Sequence, residues 1–345
     1  MPNKIKKYML IFWSHGNGIV DQNFYYRSLF KLDPLTTVLP SMPWLEIPGL
    51  SMHSSLKDFR GILYSESTQS YMNNQQLSNA LSTIKESVLG KKIDIVGMDA
   101  CFMSMLEIGY QIKNYANILV SAQNSEPGRG WYYGGIAQAL SDNPGMTPED
   151  LSRTIVSQLE DLYGGLVNFY TQSAINLNAI DPIVENLDSI LASFAQCKKF
   201  NREKAFGACR LAHALSTKFD FQAYVDLHSF YWQLMGSFSA QKKASRKKLK
   251  AVRSNYETYA KKLCEELKRG MNLIEEAVLA NATGSKVKQA RGLSIYFPLT
   301  TIHHSYLKTD FAQRSKWLSF LKMDMRSLKK RNKRLIEKYY FYCYV

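Results

Sequence analysis

The chain has 345 residues, of which 46% are hydrophobic and 21% charged. That balance fits a folded protein of one large or two modest domains and excludes a disordered chain. The net charge of +15 is carried wholly by the last third, where residues 240–345 hold 25 Lys/Arg against 8 Asp/Glu and residues 1–239 hold 19 against 21.

The basic start leads into a short apolar run, Tyr8 to Trp13. It is too brief for a secretory leader, and no small-residue cleavage site follows, so no signal peptide is expected in this chain. The run reads as a buried strand, ended by the glycine-rich turn Ser14 to Gly18. Residues 19–70 carry four prolines (Pro34, Pro40, Pro43, Pro48) and read as a long loop with short pieces of structure. Asn73 to Val88 reads as a helix with Leu77, Leu81, Ile84 and Val88 on one face. Lys92 to Met98 is a second strand, Met103 to Tyr115 a helix and Asn117 to Ala122 a third strand. Strand, helix, strand with short joints is the signature of a parallel α/β sheet.

Glu126 to Tyr133 follows as a rigid aromatic loop, and Pro148 to Tyr163 as a helix with Thr147 as its N-cap. Further on, Ser173 to Ile180 reads as a strand, Pro182 to Ala195 and Gln222 to Met235 as helices. Residues 246–280 form the clearest amphipathic pattern, with Leu249, Val252, Tyr256, Tyr259, Leu263, Leu267, Met271, Ile274 and Val278 recurring at spacings of three and four. Gly292 to Phe297 is a last strand, and Lys316 to Lys338 a basic helical tail. No apolar run approaches the roughly 20 residues of a membrane span, so no transmembrane segment is expected. The five cysteines include no Cys-x-x-Cys pair, and the six histidines show no ligand spacing. Neither a disulfide framework nor a metal site is expected.

Two features carry chemistry. His15-Gly16 sits just past the end of one strand, and Asp99-Ala-Cys101 just past the end of another. In parallel sheets functional groups gather beyond the carboxyl ends of the strands. If these two strands are neighbours, His15 and Cys101 meet there. The pair would work as base and nucleophile. The N–H groups of Gly16 and Cys101 would form an oxyanion hole. The alternative is plain packing, because free Cys is among the most buried residue types and a lone His after a strand is commonly a hydrogen-bonded structural residue.

Five segments in order resemble the clostripain-type cysteine peptidases, in the clan of the caspases and gingipains. They are Leu10-Ile-Phe-Trp-Ser-His-Gly-Asn-Gly18, Ile95-Val-Gly-Met-Asp-Ala-Cys101, Ser121 to Tyr133, Tyr224 to Leu227 and Arg291 to Pro298. The resemblance implies a caspase-like α/β/α sandwich with a mostly parallel central sheet and a helical basic C-terminal part. It implies a peptidase core over 1–235 and a basic helical region over 236–345, with a strand returning near 291–298. It implies an endopeptidase that cuts peptides and proteins after Arg or Lys, with His15 and Cys101 catalytic and no cofactor. Asp99 matches the acidic residue of the specificity pocket, where a carboxylate pairs with guanidinium or ammonium. Glu126 would add charge there, and Trp131 and Tyr132 would wall the cleft. Self-cleavage between the His and Cys segments is implied too, with Arg27 or Lys31 as the site. No loop has the spacing of a calcium site. Family members are commonly exported and carry further elements upstream of the His strand, which here begins within ten residues of Met1.

Two other readings stand beside this one. A catalytically silent paralogue would bind a peptide or protein through the same cleft. The basic last third, including the helix at 246–280 and Lys329 to Arg334, would bind an acidic partner such as nucleic acid.

Overall fold

The computed structural model describes residues 7–20, 62–65, 70–239, 250–299 and 301–329. A five-stranded sheet forms its middle: β1 (Met9–Trp13), β4 (Ile93–Asp99), β5 (Ala116–Ser121), β6 (Thr171–Asn176) and β8 (Val278–Thr283), in the spatial order β1-β4-β5-β6-β8. β1, β4 and β5 are parallel, β6 is antiparallel to β5, and β8 is antiparallel to β6. Only β6 therefore runs against the rest, and the expected mostly parallel sheet is present. β2 (Ile62–Ser65) and β3 (Ser70–Met72) make a separate antiparallel pair.

Helices cover both faces. On one, Phe12, Val96, Met98 and Leu119 pack with Leu77 and Leu81 of α1 (Asn74–Thr83), Leu106 and Ile108 of α2 (Leu106–Ile112), and apolar residues of later helices. On the other, Ile95, Ile118 and Val120 meet Ile136 of α3 (Tyr133–Asp142) and Ile155 and Leu159 of α4 (Pro148–Tyr163). Strands buried on both sides need near-continuous apolar sequence, which is why they were legible. Thr147 caps α4 as expected, its hydroxyl accepting from the Asp150 N–H at 3.1 Å.

Several expectations are corrected. The helix read over Asn73 to Val88 is α-helical only to Thr83 and continues as a π turn over Ile84–Leu89. The wider turn shifts the phase of the apolar stripe, and Val88, expected inward, is 71% exposed. The helix read over Gln222 to Met235 begins as strand β7 (Tyr224–Asp226), and α7 starts only at Leu227 (Leu227–Ser239). α3 and α6 (Arg202–Leu215) were unassigned; α5 (Ile180–Phe200) outruns its expected span at both ends. The long amphipathic helix is α8 (Lys250–Ala277), and the stripe Tyr256, Leu263, Leu267, Met271 and Ile274 is buried as expected. It stops at Ala277, where the chain turns into edge strand β8. Beyond it, β9 (Ser294–Tyr296) pairs with β7 rather than joining the central sheet. The helical tail is described as α9 (Trp317–Lys329); Leu249 and residues 330–345 lie outside the described residues. Among the described residues no helix is long and apolar enough to cross a membrane.

One buried carboxyl makes stability depend on pH. Glu107 on α2 is fully buried, and its Oε1 accepts the Tyr296 N–H at 2.9 Å and the Tyr306 hydroxyl at 3.3 Å. Its Oε2 has no hydrogen-bond partner. Burial pushes the acid up from 4.5 to about 7. The folded chain thus keeps this proton where the unfolded chain has released it. This contribution to stability is greatest below about 4.5, falls as pH rises toward 7, and is level above. Glu107→Gln keeps the acceptor for Tyr296 and removes the ionisation. Its melting temperature is expected to fall less between pH 5 and 8 than that of the wild type, which thermal melts across that range would read.

Candidate active site

The register places the site. Trp13 lies opposite Asp99 as the last pair of β1 and β4, so both strands release their chains at the same edge of the sheet. The two exits touch. A Cβ added to Gly16 would lie 2.5 Å from the Cys101 carbonyl oxygen and 3.1 Å from its nitrogen. Only glycine fits there, and that close approach brings the His15-Gly16 turn against the Cys101 turn. His15 is exposed and Cys101 is partly exposed beside it. The backbones of Gly16 and Cys101, read as the oxyanion hole, are therefore in contact.

Both turns are held from behind. After His15, the Tyr224 hydroxyl donates to the Asn17 carbonyl at 2.6 Å, and the Asn74 amide to that of Ile19 at 3.0 Å. After Cys101, Phe102 sits in the left-handed region at φ 63°. An aromatic residue there is strained. Its N–H donates to the Asn124 carbonyl at 3.1 Å, and its ring meets Tyr224 with centroids 5.7 Å apart. Asn124 reaches further: its side-chain oxygen accepts the Asp220 N–H at 2.8 Å, tying in the loop before β7.

The Cys101 sulfur accepts the Glu126 N–H at 3.2 Å. Burial pushes its thiol up to about 12, the Glu126 N–H opposes that, and the carboxylates of Glu126 and Asp220 add to it. The resting side chain is thus a thiol rather than a thiolate at neutral pH.

Beside it lies a pair of buried acids. Asp99 is 2% exposed, and its Oδ2 accepts the Trp131 N–H at 3.0 Å and the Tyr133 hydroxyl at 2.8 Å. Burial raises its pKa against the pull of those two donors. Both carboxylate oxygens of Glu126 are buried with no hydrogen-bond partner. Burial first, and the Asp99 charge second, push this acid well above the usual carboxylate range. The Trp131 indole N–H favours the charged form but stops short of a hydrogen bond. Two carboxyls buried together, one without a donor, form a place prepared for a cation.

The loop over Glu126 to Tyr133 closes tightly on Asp99. Gly130 has φ 64°, and an added Cβ would lie 2.4 Å from Asp99 Oδ2. Its carbonyl accepts the Tyr163 hydroxyl at 2.8 Å. Gly130→Ala is therefore expected to cost more than the about 1–2 kcal/mol of a left-handed alanine alone, and to move Asp99. Urea unfolding would show a lowered midpoint.

The structure places all of the site residues read from the sequence but Arg27 and Lys31. His15, Gly16, Asp99, Cys101 and Glu126 are drawn together at the sheet edge. Trp131 is buried over Gly97, where an added Cβ would lie 2.8 Å from its ring. Tyr132 is half-exposed. Arg27 and Lys31 lie outside the described residues. Tyr133, which holds Asp99, was missed as a site residue, and so was Trp13, which stands at the mouth.

The chain is a three-layer α/β fold of caspase-like architecture, with a Cys and a His in turns at neighbouring strand ends. The model of the clostripain family matches residues 50–327, and the chain belongs to that family of cysteine peptidases. No curated protein matches it. Among solved structures, a secreted clostripain-family cysteine protease from Bacteroides thetaiotaomicron, in complex with an irreversible peptide inhibitor, is similar over 91% of this chain and 71% of its own. The TM-score is 0.51 at 16% identity. A second from that organism, called iotapain, gives 0.52 at 14% identity over 89% and 71%. An inactive zymogen from Parabacteroides distasonis gives 0.49 at 17% over 89% and 69%.

Proposed function

We propose that this peptidase cuts after Arg or Lys, with Cys101 as nucleophile and His15 as its base. The observation that carries the reading is the Glu126 carboxylate, buried without a hydrogen-bond donor beside Asp99 and bonded through its own N–H to the Cys101 sulfur. A guanidinium or ammonium group supplies the missing donors and the missing charge. Asp99, already held by Trp131 and Tyr133, adds a second negative charge.

In the reaction, His15 takes the thiol proton as sulfur attacks the carbonyl carbon of the basic residue. The developing oxyanion is met by the N–H groups of Gly16 and Cys101. The C–N bond breaks, His15 returns the proton to the amine, and a thioester remains on Cys101. Water, deprotonated by His15, hydrolyses it and restores the thiol. Self-cleavage within the chain at Arg27 or Lys31 belongs to this reading, since a pocket for basic side chains accepts the enzyme's own loop. The binding of an acidic partner by the basic region stands as a separate proposal.

Hydrolysis of fluorogenic peptides with Arg, Lys, Asp or Asn before the scissile bond tests the reading. Turnover restricted to Arg and Lys supports it. Turnover at Asp or Asn overturns the role of the two acids, and no turnover by folded protein points to the silent paralogue.

A further inference from the structure

The aromatic residues at the mouth of the acid pocket are not used by the chemistry above. Along β1, Met9, Ile11 and Trp13 point to the same face of the sheet, as alternate residues of a strand do. Met9 and Ile11 pack against the core that α3 and α4 cover. Trp13 is the next residue in that row and lies past the cover, 68% exposed. Its register partner is Asp99, so it stands directly beside the pocket. Its ring meets that of Tyr133, with centroids 6.1 Å apart. Tyr133 stacks in turn on buried Trp131 at 6.3 Å, and its hydroxyl reaches Asp99. Tyr132 and Tyr133 are 47% and 37% exposed. Trp13 and Tyr133 thus form an aromatic surface open to solvent beside Asp99, with exposed Tyr132 next in the chain, and exposed apolar surface gathered at a cleft marks a contact site.

The depth of these groups decides what they touch. A basic side chain must pass inward to reach the buried carboxyls of Asp99 and Glu126. Trp13, by contrast, is exposed, and it lies two residues from His15. A side chain flanking the basic residue is what arrives there.

We propose that Trp13, Tyr132 and Tyr133 form an aromatic subsite for a large apolar side chain, aromatic or aliphatic, on a residue adjacent to the basic one. This substrate class, an apolar residue next to Arg or Lys, rests on the reading of the acid pocket given above. Aromatic and aliphatic faces both gain from packing on exposed indole and phenol rings. Acidic neighbours are disfavoured by Asp99 and Glu126.

The test uses the full chain and peptides with Arg fixed before the scissile bond, and Phe, Leu, Gly or Asp varied on either side of it. The wild type is expected to favour Phe or Leu over Gly at one of the two positions by about tenfold in kcat/KM. Trp13→Ala is expected to bring that ratio near unity, and Trp13→Phe to restore most of it. Because Trp13 is largely exposed, melting curves should show all variants folded, and Tyr132→Ala should lower the same ratio independently. A flat preference at both positions in the wild type overturns the proposal, as does a preference that survives Trp13→Ala. Exchanging the fixed Arg for Asn separates the two readings: loss of Arg preference strikes the acid pocket, while the Phe-to-Gly ratio still reads the subsite. If turnover is too slow, the order of peptide affinities for Cys101→Ala, read by fluorescence anisotropy, gives the same decision.

Discussion

Cys101→Ala is expected to reduce peptide hydrolysis by at least about 10⁴-fold, the scale seen when a covalent nucleophile is removed. The fold should be untouched, since the side chain is only partly buried and its sulfur accepts a hydrogen bond from the Glu126 N–H, a minor support. His15→Ala should fall nearly as far. The thiol, pushed up to about 12, does not ionise by itself at neutral pH, so attack depends on transfer of its proton to the imidazole. Losses of similar size for the two single variants and for the double variant would mark a pair acting as one unit. Alkylation by iodoacetamide gives a second readout. Without substrate, its rate at Cys101 should keep rising through pH 9, as expected of a thiol held above its ordinary range. A plateau already reached at pH 6 would contradict the role given to burial here.

Glu126→Gln is expected to lower kcat/KM for Arg peptides about 100-fold, the order found on removing one partner of a buried charge pair. The side chain keeps its shape and its backbone keeps the bond to Cys101, so the loss reports charge. Asp99→Asn should cost a similar factor while preserving acceptors for Trp131 and Tyr133. The two losses should not add, because each carboxyl raises the cost of ionising the other, and removing one eases the second. Parallel kinetics with Arg and Asn substrates on the two single variants and the double variant would settle it. An unchanged Arg-to-Asn ratio in Glu126→Gln would sink the cation-binding role of that residue.

The parts of the fold legible in the sequence were those whose residues have a single use. β4 and β5 are buried on both faces, so their runs are apolar throughout, and β1 ends in a glycine turn that cannot continue a strand. The meeting of the His15 and Cys101 turns was legible from the strand ends because parallel neighbours deliver their exits to one edge. α3 went unassigned, since Gly134 and Gly135 in its first turn weaken a helical pattern. β7 was absorbed into the helix after it, because three residues of strand leave no measurable period. β8 looked like the end of α8 because Val278 falls on the same apolar stripe. Within Trp131-Tyr132-Tyr133, composition does not say which ring turns inward. Gly97 decides that, since only a missing side chain on β4 makes room for the Trp131 indole. The burial of both Glu126 oxygens was likewise invisible, because a carboxylate before Pro127 reads as an ordinary loop residue.

Glu126 faces two ways. Its backbone touches the sulfur that would do the chemistry, and its side chain lines the pocket that would choose the substrate. One residue is thus a shared hinge pin between selection and reaction. A cation drawn against Glu126 gives its buried carboxyl a partner in the ionised form, and by holding the residue in place it steadies the amide that supports the sulfur. The right substrate would sharpen the blade that cuts it, and a wrong one, even if held in place, would meet a dull edge. Discrimination would then appear in turnover as much as in binding, and a cell's stray peptides could occupy the cleft without being cut.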